Sequence, residues 1–109
     1  MGASKTTAFS NHHNNMANVF KALGHPARVA IVEYLMATNA CICGDIVNEL
    51  PLAQPSISRH LKELKSAGLI QGEIQGTAIC YCLNPMLIKQ LKQYFEDLHK
   101  TVKKLKTCC

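Results

Sequence analysis

Apolar residues recur at spacings of three and four in several separate stretches of this chain, each punctuated by Gly, Pro or Asn. The densest of these runs from Gln54 to Ile70. Pro55 suits the first position of a helix, where its missing N–H would be unpaired anyway. Ile57, Leu61, Leu64 and Ala67 then form one apolar stripe, and Gly68 fits the left-handed cap that closes a helix. The other face carries Ser56, Ser58, Arg59, His60 and Lys62, with Gln54 at the entry. Hydroxyls and donors of this kind suit base edges and the phosphates beside them. The competing reading of this stretch is an ordinary amphipathic surface helix.

The flanking patterns extend the picture. Met16, Val19, Phe20 and Leu23 predict a short helix closed by Gly24, after a polar tail over 1–14. His25-Pro26 restarts the chain, and Ala27, Ala30, Ile31, Tyr34 and Leu35 supply a second stripe. Cys41 to Leu50 predicts a third short helix with Asp45 in its early turns, and Pro51-Leu52-Ala53 is the turn into the opening stretch. Short helices joined by such a turn form a helix-turn-helix. Beyond Gly68, apolar runs over Leu69 to Ile74 and Thr77 to Leu83 flank Gln75-Gly76, a hairpin or wing. Asn84-Pro85 caps a last helix, along which Ile88, Leu91, Phe95, Leu98, Val102 and Leu105 make a coiled-coil-like seam. Such a helix is ~30 Å long, more than a small body covers, so the seam is expected to meet its twin. The predicted fold is mainly α with a small β-hairpin: a winged helix-turn-helix, homodimeric through its N- and C-terminal helices. The division is a tail at 1–14, a DNA-binding and dimerisation domain at 15–107, and Cys-Cys at 108–109.

Composition narrows the class. A chain of 109 residues, 48% of them hydrophobic and none of them Trp, fits one domain with an aliphatic core. A net charge of +5 favours a polyanionic partner, though only moderately. The six cysteines follow no apolar leader, so they read as thiols for metals or redox chemistry rather than as a disulfide framework. Met1-Gly2-Ala3-Ser4 formally matches an acylation signal. No run reaches the ~18 apolar residues of a membrane span, and a cytoplasmic location without membrane contact is expected. No Ser/His/Asp set, phosphate loop or paired carboxylates point to catalysis, so no enzyme is expected.

The elements in this order, with Phe20-Lys21-Ala22-Leu23-Gly24-His25-Pro26-Ala27-Arg28, resemble the ArsR/SmtB family of bacterial metal-responsive repressors. Ser58-Arg59-His60-Leu61 and Ala67-Gly68-Leu69-Ile70 resemble the family's reading helix and its exit, and Tyr81-x-Leu83-Asn84 the end of its wing. The similarity runs from about Met16 to Leu98. It implies a symmetric homodimer on an inverted-repeat operator in double-stranded DNA, released when an inducer binds. DNA contacts are expected from Gln54, Ser56, Ser58, Arg59, His60 and Lys62, with Arg59 and Lys62 on phosphate. Glu73, Gln75 and Thr77 leave the wing poor in cations. The resemblance to a prokaryotic family also weighs against acylation at Gly2.

Cys41-Ile42-Cys43-Gly44-Asp45 resembles the cysteine motif of the arsenic-responsive members. At a helix N-terminus the dipole favours thiolate, and residues two apart on a helix diverge, so a soft ion bound by both would distort that turn. Where a third cysteine can follow in that pattern, this chain has Ile46. The third sulfur is then expected from Cys108 or Cys109, on the same or the other subunit. Arsenite or antimonite is the expected inducer; zinc, cadmium or a thiol redox or reactive-sulfur switch are the alternatives, and a metal carrier or thiol oxidoreductase a remote one. No resident cofactor is required. Cys80 and Cys82 alternate with Tyr81 and are expected to pack as small apolar residues. His12-His13 and His99 are expected to be solvated.

Overall fold

A computed structural model describes residues 8–38, 42–43, 50–51, 53–75 and 78–105. Its elements are α1 (Asn11–Leu23), α2 (Pro26–Thr38), β1 (Ile42–Cys43), α3 (Gln54–Ser66), β2 (Ile70–Gln75), β3 (Ala78–Leu83) and α4 (Pro85–Lys104). The antiparallel sheet has the order β1-β3-β2. This is the expected winged helix-turn-helix, with β1 added.

Local chemistry sets most boundaries. Helix α1 starts at Asn11, inside the stretch expected to be a tail, because the Ser10 side chain accepts the His13 amide at 3.2 Å. A hydroxyl acceptor there satisfies one of the donors that a helix start leaves open. His25 plays the same part for α2: its Nδ1 accepts the Ala27 amide at 3.0 Å, and Pro26 occupies the first helical position. At the exit of α3, Gly68 has φ 84. Its amide donates to the Lys65 carbonyl and the Leu69 amide to the Leu64 carbonyl, both at 3.0 Å. That pair of bonds is a Schellman closure, and the left-handed residue in it suits Gly.

The core lies where α1, α2 and α3 meet the base of the wing. Met16, Val19, Ala22, Ile31, Leu35, Ile57, Leu61, Leu64, Leu69, Ile70 and Leu91 form its buried cluster. Each large aliphatic side chain there is worth ~1.5–3 kcal/mol relative to exposure. Asn84 fastens α4 to this body. Its side-chain oxygen accepts the Met86 amide at 3.1 Å, and its Nδ2 donates to the Gly68 carbonyl at 2.8 Å. Its own amide donates to the Leu69 carbonyl at 2.9 Å. The helix start and the α3 exit are thus one hydrogen-bonded joint.

One element differs in kind from the sequence reading. Ile42 and Cys43, expected at the start of a helix, are instead a strand antiparallel to β3, Ile42 opposite Tyr81 and Cys43 opposite Cys80. The open edge of β3 offers backbone partners that the β-branched Ile42 suits. The remainder of that expected helix, 44–49, lies outside the described residues, as do Cys41, Gly76-Thr77, Cys108 and Cys109.

Candidate nucleic-acid interface and the cysteines beside it

Helix α3 separates its residues by angle around the axis. Ile57, Leu61 and Leu64 are buried, while Ser58, Arg59 and Lys62 are exposed and Ser56 is half-buried. The helix N-cap, Ala53, makes no side-chain hydrogen bond, and the first turn holds no acidic residue. Within that turn no carboxylate opposes the positive end of the dipole, which suits an approaching polyanion. The side chain of Gln54 lies outside the described residues.

His60 departs from the other expected contact residues. It is 9% exposed and belongs to the inner face. Its Nδ1 accepts a hydrogen bond from Arg28 Nε at 3.1 Å, and its ring lies 4.5 Å from that of His25. Arg28 also donates through Nη1 to the Ala22 carbonyl at 3.4 Å. A guanidinium only donates, so Nδ1 must be unprotonated for this contact. Burial lowers the pKa of His60 below 6.5, reinforced by the charges of His25, Arg28 and Arg59. His60 thus ties the reading helix to α1 and α2 rather than facing a groove. The physical reason is its place between Ile57 and Leu64 on the inward stripe. That spacing was the available signal, and its polarity concealed it.

Helix α4 presents the opposite situation. Leu91 is its buried residue, whereas Phe95, Val102 and Leu105 are 53%, 61% and 65% exposed. Phe20 on α1 adds an exposed ring 5.7 Å from Tyr94 and 6.1 Å from Phe95. An apolar strip therefore runs from α1 along α4. His12 and His13 are exposed as expected, the His12 ring 6.4 Å from that of Tyr94, and His99 is exposed too.

The cysteines fall differently from their expected places. Cys43 sits in a strand rather than in the first turn of a helix. Cys80 is fully buried, as packing requires, but both Cys80 and Cys82 are disulfide-bonded rather than merely packed. Among the described residues no group of three or more His, Cys, Asp or Glu is placed to hold a metal ion. No helix among them is long and apolar enough to cross a membrane.

Comparison with known proteins agrees with this geometry. Residues 25–71 match the family described as bacterial regulatory protein, arsR family. Over 87 residues the chain is 33% identical to an uncharacterised HTH-type transcriptional regulator of Methanocaldococcus jannaschii, covering 79% of this chain and 97% of that one. It is 26% identical over 87 residues to an arsenical resistance operon repressor of Staphylococcus xylosus, covering 80% of this chain and 83% of the relative. A crystal structure of an ArsR family transcriptional regulator shares the fold, with a TM-score of 0.74 and 16% identity, covering 90% of this chain and 100% of that one. A reading helix fixed by a buried stripe, a two-stranded wing behind it and matches of this extent have one conclusion: the chain belongs to the arsR family of bacterial regulatory proteins and is a transcriptional regulator, not an enzyme.

Proposed function

We propose that this regulator is a repressor that binds an inverted-repeat operator as a homodimer and releases it when a thiophilic inducer, arsenite or antimonite, binds its cysteine thiolates. The observation that carries the DNA-binding part is the exposed face of α3. Ser58, Arg59 and Lys62 stand out above the buried Ile57, Leu61 and Leu64. In this docking mode the N-terminal residues of the helix meet base edges, giving Gln54, Ser56 and Ser58 the reading role and Arg59 and Lys62 the phosphates. His60 acts from behind, by holding the helix in place.

The exposed strip on α1 and α4 supports a symmetric dimer, since apolar patches of this kind mark association sites. Two reading helices on a twofold axis match an inverted repeat. The inducer assignment draws on the Staphylococcus xylosus relative, an arsenical resistance operon repressor, and on the Cys41-x-Cys43 motif ahead of α3. The backbone at Cys43 is extended rather than helical. Cys108 and Cys109 remain the expected sources of a further sulfur.

The test is fluorescence anisotropy of the reduced protein on the DNA upstream of its own coding sequence. Salt is varied first; arsenite, antimonite, zinc, cadmium and peroxide follow in turn. Affinity is expected to fall steeply with salt, and arsenite or antimonite to release the DNA. Binding to no DNA would overturn the repressor; release by peroxide or zinc alone would overturn the inducer.

A further inference from the structure

The wing lacks the cations that a surface meeting DNA would use. From Leu69 to Leu83 it holds no Lys or Arg, and its one charged residue is Glu73. Within β2 stands Gly72, which the strand does not need for its backbone, since the glycine with positive φ is Gly68. Glycine inside a strand weakens it and often marks a close approach by another group. That group here is Lys65 of α3. A Cβ placed on Gly72 would lie 3.3 Å from Lys65 Nζ, 3.4 Å from Tyr81 Cε1 and 3.5 Å from Ile79 Cγ2. The helix-borne ammonium thus rests at the bare backbone of the wing, where a side chain at 72 would crowd it.

Lys65 also extends the outer row of α3. Ser58, Lys62 and Lys65 follow at spacings of four and three, so they share one face, and all three are exposed. Among the described residues no carboxylate pairs with Lys65; the ion pair present joins Lys92 and Glu96 on α4. From Ser58 to Lys65 the helix rises ~10 Å, comparable to the ~8.5 Å depth of a major groove. A helix whose first turns meet base edges therefore carries Lys65 toward the groove wall, where the phosphates run. Backbone contact from the C-terminal end of a reading helix is a known docking mode. From this placement we propose that Lys65 is a phosphate-binding residue seated by the wing: the bare strand at Gly72 holds its ammonium toward the DNA strand that passes between α3 and the hairpin. This rests on the DNA-binding reading under Proposed function. A wing without cations then still serves binding, by positioning a cation of the helix. Ordering a rotamer-rich side chain beforehand lowers what contact must spend on immobilising it.

Anisotropy of the reduced full chain on the DNA upstream of its own coding sequence tests this. Lys65→Ala should weaken binding and lower the slope of log affinity against log salt by ~1 per half-site. Lys65→Arg, which keeps a cation, should restore the slope, and the urea midpoint of Lys65→Ala should match the wild type. Gly72→Val introduces a residue that strands favour. It should hold or raise that midpoint yet weaken binding, by displacing the ammonium. In a Lys65→Ala background the same change should weaken binding no further, the non-additivity expected of groups in contact. Should Gly72→Val fold poorly, Gly72→Ala adds the methyl alone and serves the same cycle. A full salt slope in Lys65→Ala would overturn the proposal, whether or not its urea midpoint falls; Lys65 would then only cover the wing. Equal losses from the Gly72 change with and without Lys65 would overturn the seat. If Arg59→Ala and Lys62→Ala lower the slope and Lys65→Ala does not, this inference fails and the repressor reading stands. Wild-type protein that binds no DNA would remove both.

Discussion

Helices α3 and α4 carry nearly the same apolar spacing and meet opposite fates. In α3 the stripe of Ile57, Leu61 and Leu64 is buried inside its own protomer. In α4 only Leu91 is buried, while Phe95, Leu98 and Val102, with Leu105 at the C-cap, stay exposed. The pattern alone says that each helix needs a partner. Whether that partner is the same chain depends on reach: α4 spans 20 residues, ~30 Å at 1.5 Å per residue, and its far end runs beyond the three-helix core. One stripe is therefore used within the protomer, and the other is left for the dimer we propose.

Substitutions separate those roles. Leu64→Ala removes a fully buried side chain from the centre of the core and should lower the unfolding free energy by ~2–5 kcal/mol in urea titration. Next in size is Phe95→Glu, on the exposed strip. It should leave the protomer's unfolding midpoint nearly unchanged and abolish dimerisation in analytical ultracentrifugation. Operator affinity should then fall by ~10²-fold or more, because the second half-site no longer benefits from the first. A variant that stays dimeric, or one that unfolds, would erase the distinction between the helices.

Smaller effects lie on the outer face of α3. Arg59→Ala and Lys62→Ala should each weaken DNA binding without changing stability, and each should reduce the slope of log affinity against log salt by ~1. A loss confined to one operator sequence with the slope intact would move that residue from phosphate to base contact.

What the sequence made legible was local. Gly68 at a left-handed cap and Asn84-Pro85 at a helix start both follow from chemistry within a few residues. Three features that shape the site are not local. Strand β1 exists because the edge of β3 accepts Ile42 and Cys43, and the same residues beside Asp45 equally suit a helix start. The second hydrogen bond of Asn84, to Gly68, depends on the wing returning to the α3 exit. His60 reads as a DNA contact until Arg28, from another helix, is seen to claim its Nδ1. Side chains whose partners lie far along the chain reveal their role only once the fold is known.

His60 offers the smallest and most specific test of the inner face. Burial, then His25, Arg28 and Arg59, hold its pKa below 6.5 in the folded protein. On acidification the unfolded chain therefore takes up the proton first. The stability linked to this group is complete above 6.5 and is lost as the pH falls toward the lower folded value. Protonation also removes the acceptor from Arg28 Nε and places a cation beside it. His60→Asn keeps a short polar acceptor at this position and removes the titration. Urea unfolding across mildly acidic pH should show a steeper loss of stability in the wild type than in His60→Asn, with the two converging in slope above neutrality. Equal slopes throughout would mean that the ring is not held neutral between α2 and α3. The anchoring role would then pass to Arg28 and its contact with the Ala22 carbonyl.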